Sequence, residues 1–263
     1  MKRAAFILLT LLICGGGARA FDPLTMARID RLPNAQIPMD LNLADQAGRA
    51  TTLRSIAKGK PIVLVPVQYD CPNICGVTLA GLLQAVAAQK LKPGVDFSLA
   101  TFSIDPGETA PDAARLLARL SAEFPSIPRA ALHGLTGNPT DIAAMTDALG
   151  YRYAWDPELR QFDHVAAAAV LTPDGRLSNW LYGVAPEPRD LQLALTEAGT
   201  GRVGRWTDQL LLLCYRYDPA TGRYTPIVWT ALRIFAAGAL VVALFYLGRA
   251  VLRERRLARD RLP

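Results

Sequence analysis

Val67-Gln68-Tyr69-Asp70-Cys71-Pro72-Asn73-Ile74-Cys75-Gly76 joins an apolar, strand-like run, Pro61 to Val67, to a helical pattern over residues 77–89. A loop between a strand end and a helix start is where an α/β fold exposes reactive groups. With a helix starting near Cys75, its sulfur lies by the positive end of the helix dipole, which favours thiolate over thiol. The four-residue spacing lets Cys71 and Cys75 share one face of a helical turn. Such a pair suits soft-metal binding, thiol–disulfide chemistry or both.

Outward from this loop, strands and helices alternate. Residues 39–53 alternate apolar and polar positions around Asp45-Gln46-Ala47-Gly48, a hairpin signal. Residues 62–67 read as a strand, with Pro66 as a local conflict because proline cannot donate to a central ladder. A strand over 97–104, a helix over 111–124, a strand over 131–135 and a helix over 140–149 follow. Pro111 and Pro139 suit helix starts and Gly150 a stop. Strand–helix alternation implies a parallel sheet with right-handed crossovers. The pattern then changes: strands over 165–171 and 177–182 are joined by the turn Thr172-Pro173-Asp174-Gly175-Arg176, and a helix over 189–198 closes the set. That order predicts an α/β, thioredoxin-like fold with an insertion over residues 39–200, preceded by an arm at 21–38. A small hairpin at 215–224, around Asp218-Pro219-Ala220-Thr221-Gly222, belongs to a membrane-proximal segment, 201–226.

The net charge of +6 misleads until it is divided. Lys2, Arg3 and Arg19 lie in a leader, residues 1–20, with an apolar core from Ala4 to Ile13 and a small-residue cleavage pattern, Ala18-Arg19-Ala20. Six arginines against Glu254 and Asp260 fill the tail, 249–263. The remaining Phe21–Pro226 portion is slightly acidic, so a nucleic-acid partner loses its support. Ile227 to Gly248 is a 22-residue apolar stretch whose one charge is Arg233. At about 1.5 Å per residue it can cross a bilayer of about 30 Å. The arginine-rich tail should stay cytoplasmic. The expectation is a single C-terminal transmembrane helix in the cytoplasmic membrane, with the functional domain on the periplasmic side.

Two histidines occur in the chain. His164, in Gln161-Phe162-Asp163-His164, directly precedes the strand predicted at 165–171. In a thioredoxin-type sheet that strand runs antiparallel to the one bearing the cysteine loop, so its beginning meets the other's end. The topology therefore predicts that His164 lies beside Cys71 and Cys75. Two thiolates and one imidazole suit Cu(I) and tolerate Cu(II), whereas a closed zinc site wants a fourth ligand. Asp163 is assigned a supporting part behind the ligands, since neighbours on a strand face opposite ways. Asp70 could tune Cys71 electrostatically or simply be solvated. His133 reads as structural, and Cys214, among leucines, as a packed hydrophobe or an intermolecular thiol.

Cys71-Pro72-x-x-Cys75, Ser103-Ile104-Asp105-Pro106, Leu135-Thr136-Gly137 and Asp163-His164 before Pro173-Asp174-Gly175, in this order, resemble the Sco/SenC family. Cys214-Tyr215-x-Tyr217-Asp218-Pro219 is similar to a membrane-anchored branch of it. Gly76 differs from the second proline that many members carry. The resemblance implies a thioredoxin-like domain that binds copper through Cys71, Cys75 and His164, the cysteines doubling as a redox pair. It also implies a part in assembling the binuclear copper centre of a cytochrome c oxidase subunit, with other copper chaperones or a thiol reductant as further partners. The rival reading is a thiol–disulfide oxidoreductase acting on oxidase cysteines, although CxxxC differs from the usual CxxC. A peroxidase-like role lacks a distinctive motif, and a copper or redox sensor is not separable from sequence.

Overall fold

Ile62 to Val67 is apolar at every position and all six residues are buried, as expected for a strand covered on both faces. The computed structural model describes residues 27–32, 35–71, 75–199, 215–218, 223–226, 235–240, 242, 246 and 249. Its elements, in chain order, are β1 (Arg28–Ile29), β2 (Leu43–Ala44), β3 (Ala50–Thr51), α1 (Leu53–Ala57), β4 (Ile62–Val67), α2 (Cys75–Ala88), β5 (Ser98–Ser103) and α3 (Ala110–Glu123). After a short 3-10 turn come β6 (Leu132–Leu135), α4 (Pro139–Leu149), β7 (Tyr151–Arg152), β8 (Ala154–Asp156) and β9 (Gln161–Asp163). The set ends with β10 (Ala167–Leu171), β11 (Leu177–Tyr182), α5 (Pro188–Ala198), β12 (Tyr215–Asp218) and β13 (Arg223–Pro226).

Five strands form the central sheet in the order β11-β10-β4-β5-β6. β4, β5 and β6 are parallel neighbours, and β10 is antiparallel to both β4 and β11. This is the α/β, thioredoxin-like arrangement expected from the element order. Alternation along the strands sorts the core into two layers. Val63, Val65 and Val67 pack with α2, α3 and α5 on one face. Ile62 and Leu64 pack with α1, α4 and the segment holding Ile37 and Met39 on the other. The described part of the arm is tied down: β1 pairs with β7, Ile37 N donates to Gly175 O at 2.9 Å, and Leu177 N to Ala35 O at 2.8 Å.

Pro66 sits within β4 without breaking a bond. Val67 O accepts Ile104 N at 2.9 Å, so Val67 faces β5 and the missing donor of Pro66 faces β10. Pairing with β10 is registered only from Ile62 to Leu64, so Pro66 lies past the end of that ladder. The hairpin at β2–β3 forms, with Leu43 opposite Thr51, and β12 pairs with β13; the turn at 219–222 lies outside the described residues. So do the leader, Cys214 and most of the 227–248 stretch. Residues 235–240 are helical, with Phe235 and Leu240 exposed. Among the described residues, no helix is long and apolar enough to cross a membrane.

Candidate functional site

The cysteine loop leaves the sheet where β4 ends. Gln68 and Tyr69 are buried, Asp70 is exposed, and Cys71 is a half-buried free thiol. Tyr69 is an anchor: its hydroxyl donates to Leu135 O at 2.9 Å and lies 3.0 Å from Thr101 Oγ1. Burial pushes its phenol up, so it stays protonated and neutral. The next two backbone groups converge on one carboxylate. Tyr69 N donates to Glu108 Oε2 at 2.9 Å and Asp70 N to Glu108 Oε1 at 2.7 Å, with the Ser103 hydroxyl against Oε2 as well. Burial raises the Glu108 carboxyl above its ordinary range, while the bonds from Ser103, Tyr69 and Asp70 pull it back down. Helix α2 begins at Cys75 itself, the position from which the dipole argument starts.

The histidine arrives from the other side. β10 starts at Ala167, two residues later than predicted, so residues 164–166 form a link between the β8–β9 hairpin and the sheet. Gln68 Oε1 accepts Phe162 N at 3.1 Å, which fastens this hairpin to the strand that leads to Cys71. The β10–β4 register pairs Leu171 with Ile62 and Ala169 with Leu64. Continued at the same offset it sets His164 opposite Tyr69, two residues before Cys71. The Gln68–Phe162 bond thus sets the chain leading to His164 beside the chain leading to the cysteine loop.

One nitrogen of the His164 ring is committed. Tyr151, the first residue of β7, is buried against Trp180 with ring centroids 5.8 Å apart. Its hydroxyl donates to Val165 O at 2.7 Å, which leaves its oxygen to accept from His164 Nδ1, 2.8 Å away. Val165 O also lies 3.3 Å from Nδ1. The arrangement places the proton on Nδ1 and the lone pair on Nε2. Burial lowers the imidazole pKa, against the Val165 hydrogen bond and the charge of Asp163, which raise it. Burial thus favours the neutral imidazole.

Asp163 closes β9, opposite Ala154, and its Oδ2 is buried with no hydrogen-bond partner among the described residues. Asp70 lines an open groove with Arg115 and Arg119 of α3. His133 is elsewhere. It lies on β6, two strands from β4, opposite Ala100 and against leucines of α2 and α3, a structural position.

Cys71, Cys75 and His164 carry the soft and borderline donor types that the sequence reading singles out for a metal. The donor chemistry fits, with sulfur from the loop and the helix start, and neutral imidazole nitrogen from the hairpin link. Among the described side chains, no group of three or more His, Cys, Asp or Glu is placed to hold a metal ion; the side chain of Cys75 lies outside that set. Three supporting residues escape a sequence reading. Gln68 is signalled only as a polar residue ending an apolar run, Tyr151 only as the residue after a helix-stopping glycine, and Glu108 only by its place two residues after Asp105-Pro106.

The SCO1/SenC family model matches residues 30–195, well over half of the chain. A crystal structure from Aquifex aeolicus VF5 is 26% identical, covering 64% of this chain and 95% of its own, with a TM-score of 0.57. BsSco, described as a member of the Sco family of cytochrome c oxidase assembly proteins, is 22% identical over 66% of this chain and 98% of its own, with a TM-score of 0.52. Arabidopsis thaliana ScoI with copper bound is 22% identical over 57% and 90% of the two chains, with a TM-score of 0.45. No curated protein matches the sequence significantly. A family match of this extent, on a thioredoxin-like sheet whose chain carries CxxxC and Asp-His, assigns the chain to the SCO1/SenC family.

Proposed function

We propose that this chain is a copper chaperone for the binuclear copper centre of cytochrome c oxidase, with Cys71, Cys75 and His164 as the groups that hold its cargo. The observation that carries this reading is the hold on His164: Tyr151 and Val165 occupy the Nδ1 side. That hold fixes the orientation of the ring, and the Gln68–Phe162 contact ties the segment before it to the one before Cys71. Membership of a family with oxidase-assembly members agrees with it.

In this reading the reduced cysteines take up copper as thiolates, releasing their protons, and neutral His164 completes a three-donor set. Transfer is ligand exchange: acceptor thiolates replace these sulfurs one at a time, and copper changes hands without a change of charge. Joining the two cysteines in a disulfide removes both sulfur donors, so loading requires a reductant. The apolar stretch 227–248 and its arginine-rich tail support a single membrane tether with the domain outside the cytoplasm. Such a tether keeps donor and acceptor on one surface at raised effective concentration.

The test is anaerobic copper titration of the reduced full-length chain in mild detergent. One copper per chain is expected, lost on thiol oxidation and weakened about 10-fold or more in His164→Ala. Unchanged affinity in that variant would sink the reading. A second reading, a thiol–disulfide oxidoreductase, draws on Cys75 opening α2, where a thiolate is favoured. It requires disulfide reduction that survives His164→Ala with no metal bound.

A further inference from the structure

Glu108 lies nearly forty residues after the cysteine loop, on the turn between β5 and α3, yet its carboxylate accepts the backbone N–H groups of two successive loop residues, Tyr69 and Asp70. The turn that carries it is itself braced. Gly107 N donates to Asp105 Oδ1 at 2.8 Å, Asp105 N to Ser103 Oγ at 3.0 Å, and Glu108 N to Asp105 O at 3.2 Å. A carboxylate accepts at both oxygens and donates at neither. It is the one side-chain group that can take two parallel N–H bonds and a hydroxyl without a donor facing a donor. Asp70 is covalently joined to Cys71, so holding the Tyr69–Asp70 peptide restrains the path by which the chain reaches Cys71.

We propose that Glu108 is a positioning residue for the dithiol: by holding the Tyr69 and Asp70 peptides it sets the placement of Cys71 relative to Cys75, and so the balance between the dithiol and disulfide forms of the pair. This rests on the reading of Cys71 and Cys75 as the working thiols. A merely structural carboxylate would stabilise the turn and leave that balance alone.

Glu108→Gln is nearly isosteric, and its amide can accept only one of the two N–H groups, because its NH2 must face the other. The experiment equilibrates the full-length chain with mixtures of reduced and oxidised glutathione. As the Cys71–Cys75 bond forms, one oxidised glutathione takes two electrons and two protons and becomes two glutathione thiols. The dithiol fraction is then read by alkylation. Glu108→Gln is expected to shift the equilibrium constant by about 10-fold, while Glu123→Gln, at the far end of α3, leaves it unchanged. A shift under about twofold in a cooperatively folded Glu108→Gln protein overturns the proposal. Should that variant fail to fold, Glu108→Asp, which keeps the charge but is one methylene short, takes its place, and a constant equal to wild type overturns it equally. Copper titration of the wild type separates the two readings. A chain that binds no copper but shows the Glu108→Gln shift refutes the chaperone and upholds the positioning role.

Discussion

Gln68, the residue after β4, reaches sideways to accept the backbone N–H of Phe162 at 3.1 Å. That contact joins the segment leading into Cys71 to the hairpin leading into His164. Gln68 is 7% exposed, so its oxygen and the Phe162 donor have little water to fall back on. In Gln68→Leu the donor is stranded, at about 1–3 kcal/mol. The urea midpoint should fall accordingly, and copper affinity should fall with it as the hairpin loosens. A variant with lowered stability and wild-type copper affinity would show that this contact does not align the two halves of the site.

Tyr151→Phe keeps the ring that packs on Trp180 and deletes the hydroxyl shared by His164 Nδ1 and Val165 O. A loss of about 1–2 kcal/mol in stability is expected from the missing hydrogen bonds. The larger effect should be on copper, about 10- to 100-fold weaker, because an imidazole without its outer partner is free to turn and to change tautomer. Nitrogen-15 NMR of the His164 ring would report the tautomer directly. A wild-type spectrum in Tyr151→Phe would assign the orientation to Val165 O alone.

The central sheet was legible because its signals are local. Ile62–Val67 and Leu177–Tyr182 are apolar or alternating runs ended by turn residues, and their observed bounds match the reading. β10 was read two residues too early because Val165 is apolar, yet its carbonyl accepts from Tyr151 rather than entering a ladder. The β8–β9 hairpin was missed for a related reason. Its turn holds no glycine: the Asp156 carboxylate closes it by accepting from Glu158 N at 2.7 Å, and Arg160 adopts φ +52°. Topology predicts that Cys71 and His164 meet, because antiparallel neighbours bring a start to an end, and the Gln68–Phe162 bond does join the segments that precede them. Glu108, Gln68 and Tyr151 are not predicted in this way, since each acts on backbone or ring atoms far along the chain, and no periodicity records such a contact.

Both histidines carry one sign of pH dependence. Burial is the leading cause that lowers the pKa of His133 and of His164, while in the unfolded chain each titrates near about 6.5. As pH falls through that value, the unfolded chain takes up protons that the native one refuses, so stability falls with falling pH. The contribution is whole above the unfolded value and gone below the lowered native ones. Glu108 has the opposite sign, because its raised carboxyl favours the native state on protonation, but it acts in the more acid carboxylate range. Denaturation midpoints should therefore decline from pH 7 to just below 6, and His133→Asn should flatten the decline. A midpoint that stays level or rises over that interval contradicts the assignment.

Gly150 connects the end of α4 to Tyr151, and its conformation decides where that tyrosine points. Its φ is +66°, left-handed, and a Cβ built there would strike Asp30 O, whose own N–H donates to Gly150 O at 2.7 Å. Alanine must adopt a disfavoured backbone, at about 1–2 kcal/mol, and also push β1 off β7. A fall of several degrees in the melting temperature is expected at about 2–4 °C per kcal/mol for a domain of this size. Since β7 begins at the next residue, the displacement should reach the Tyr151 hydroxyl and loosen its hold on His164. Copper affinity in Gly150→Ala should therefore drop even at temperatures where the protein remains fully folded. A variant that melts earlier but binds copper as tightly as wild type when cold would confine the role of Gly150 to stability.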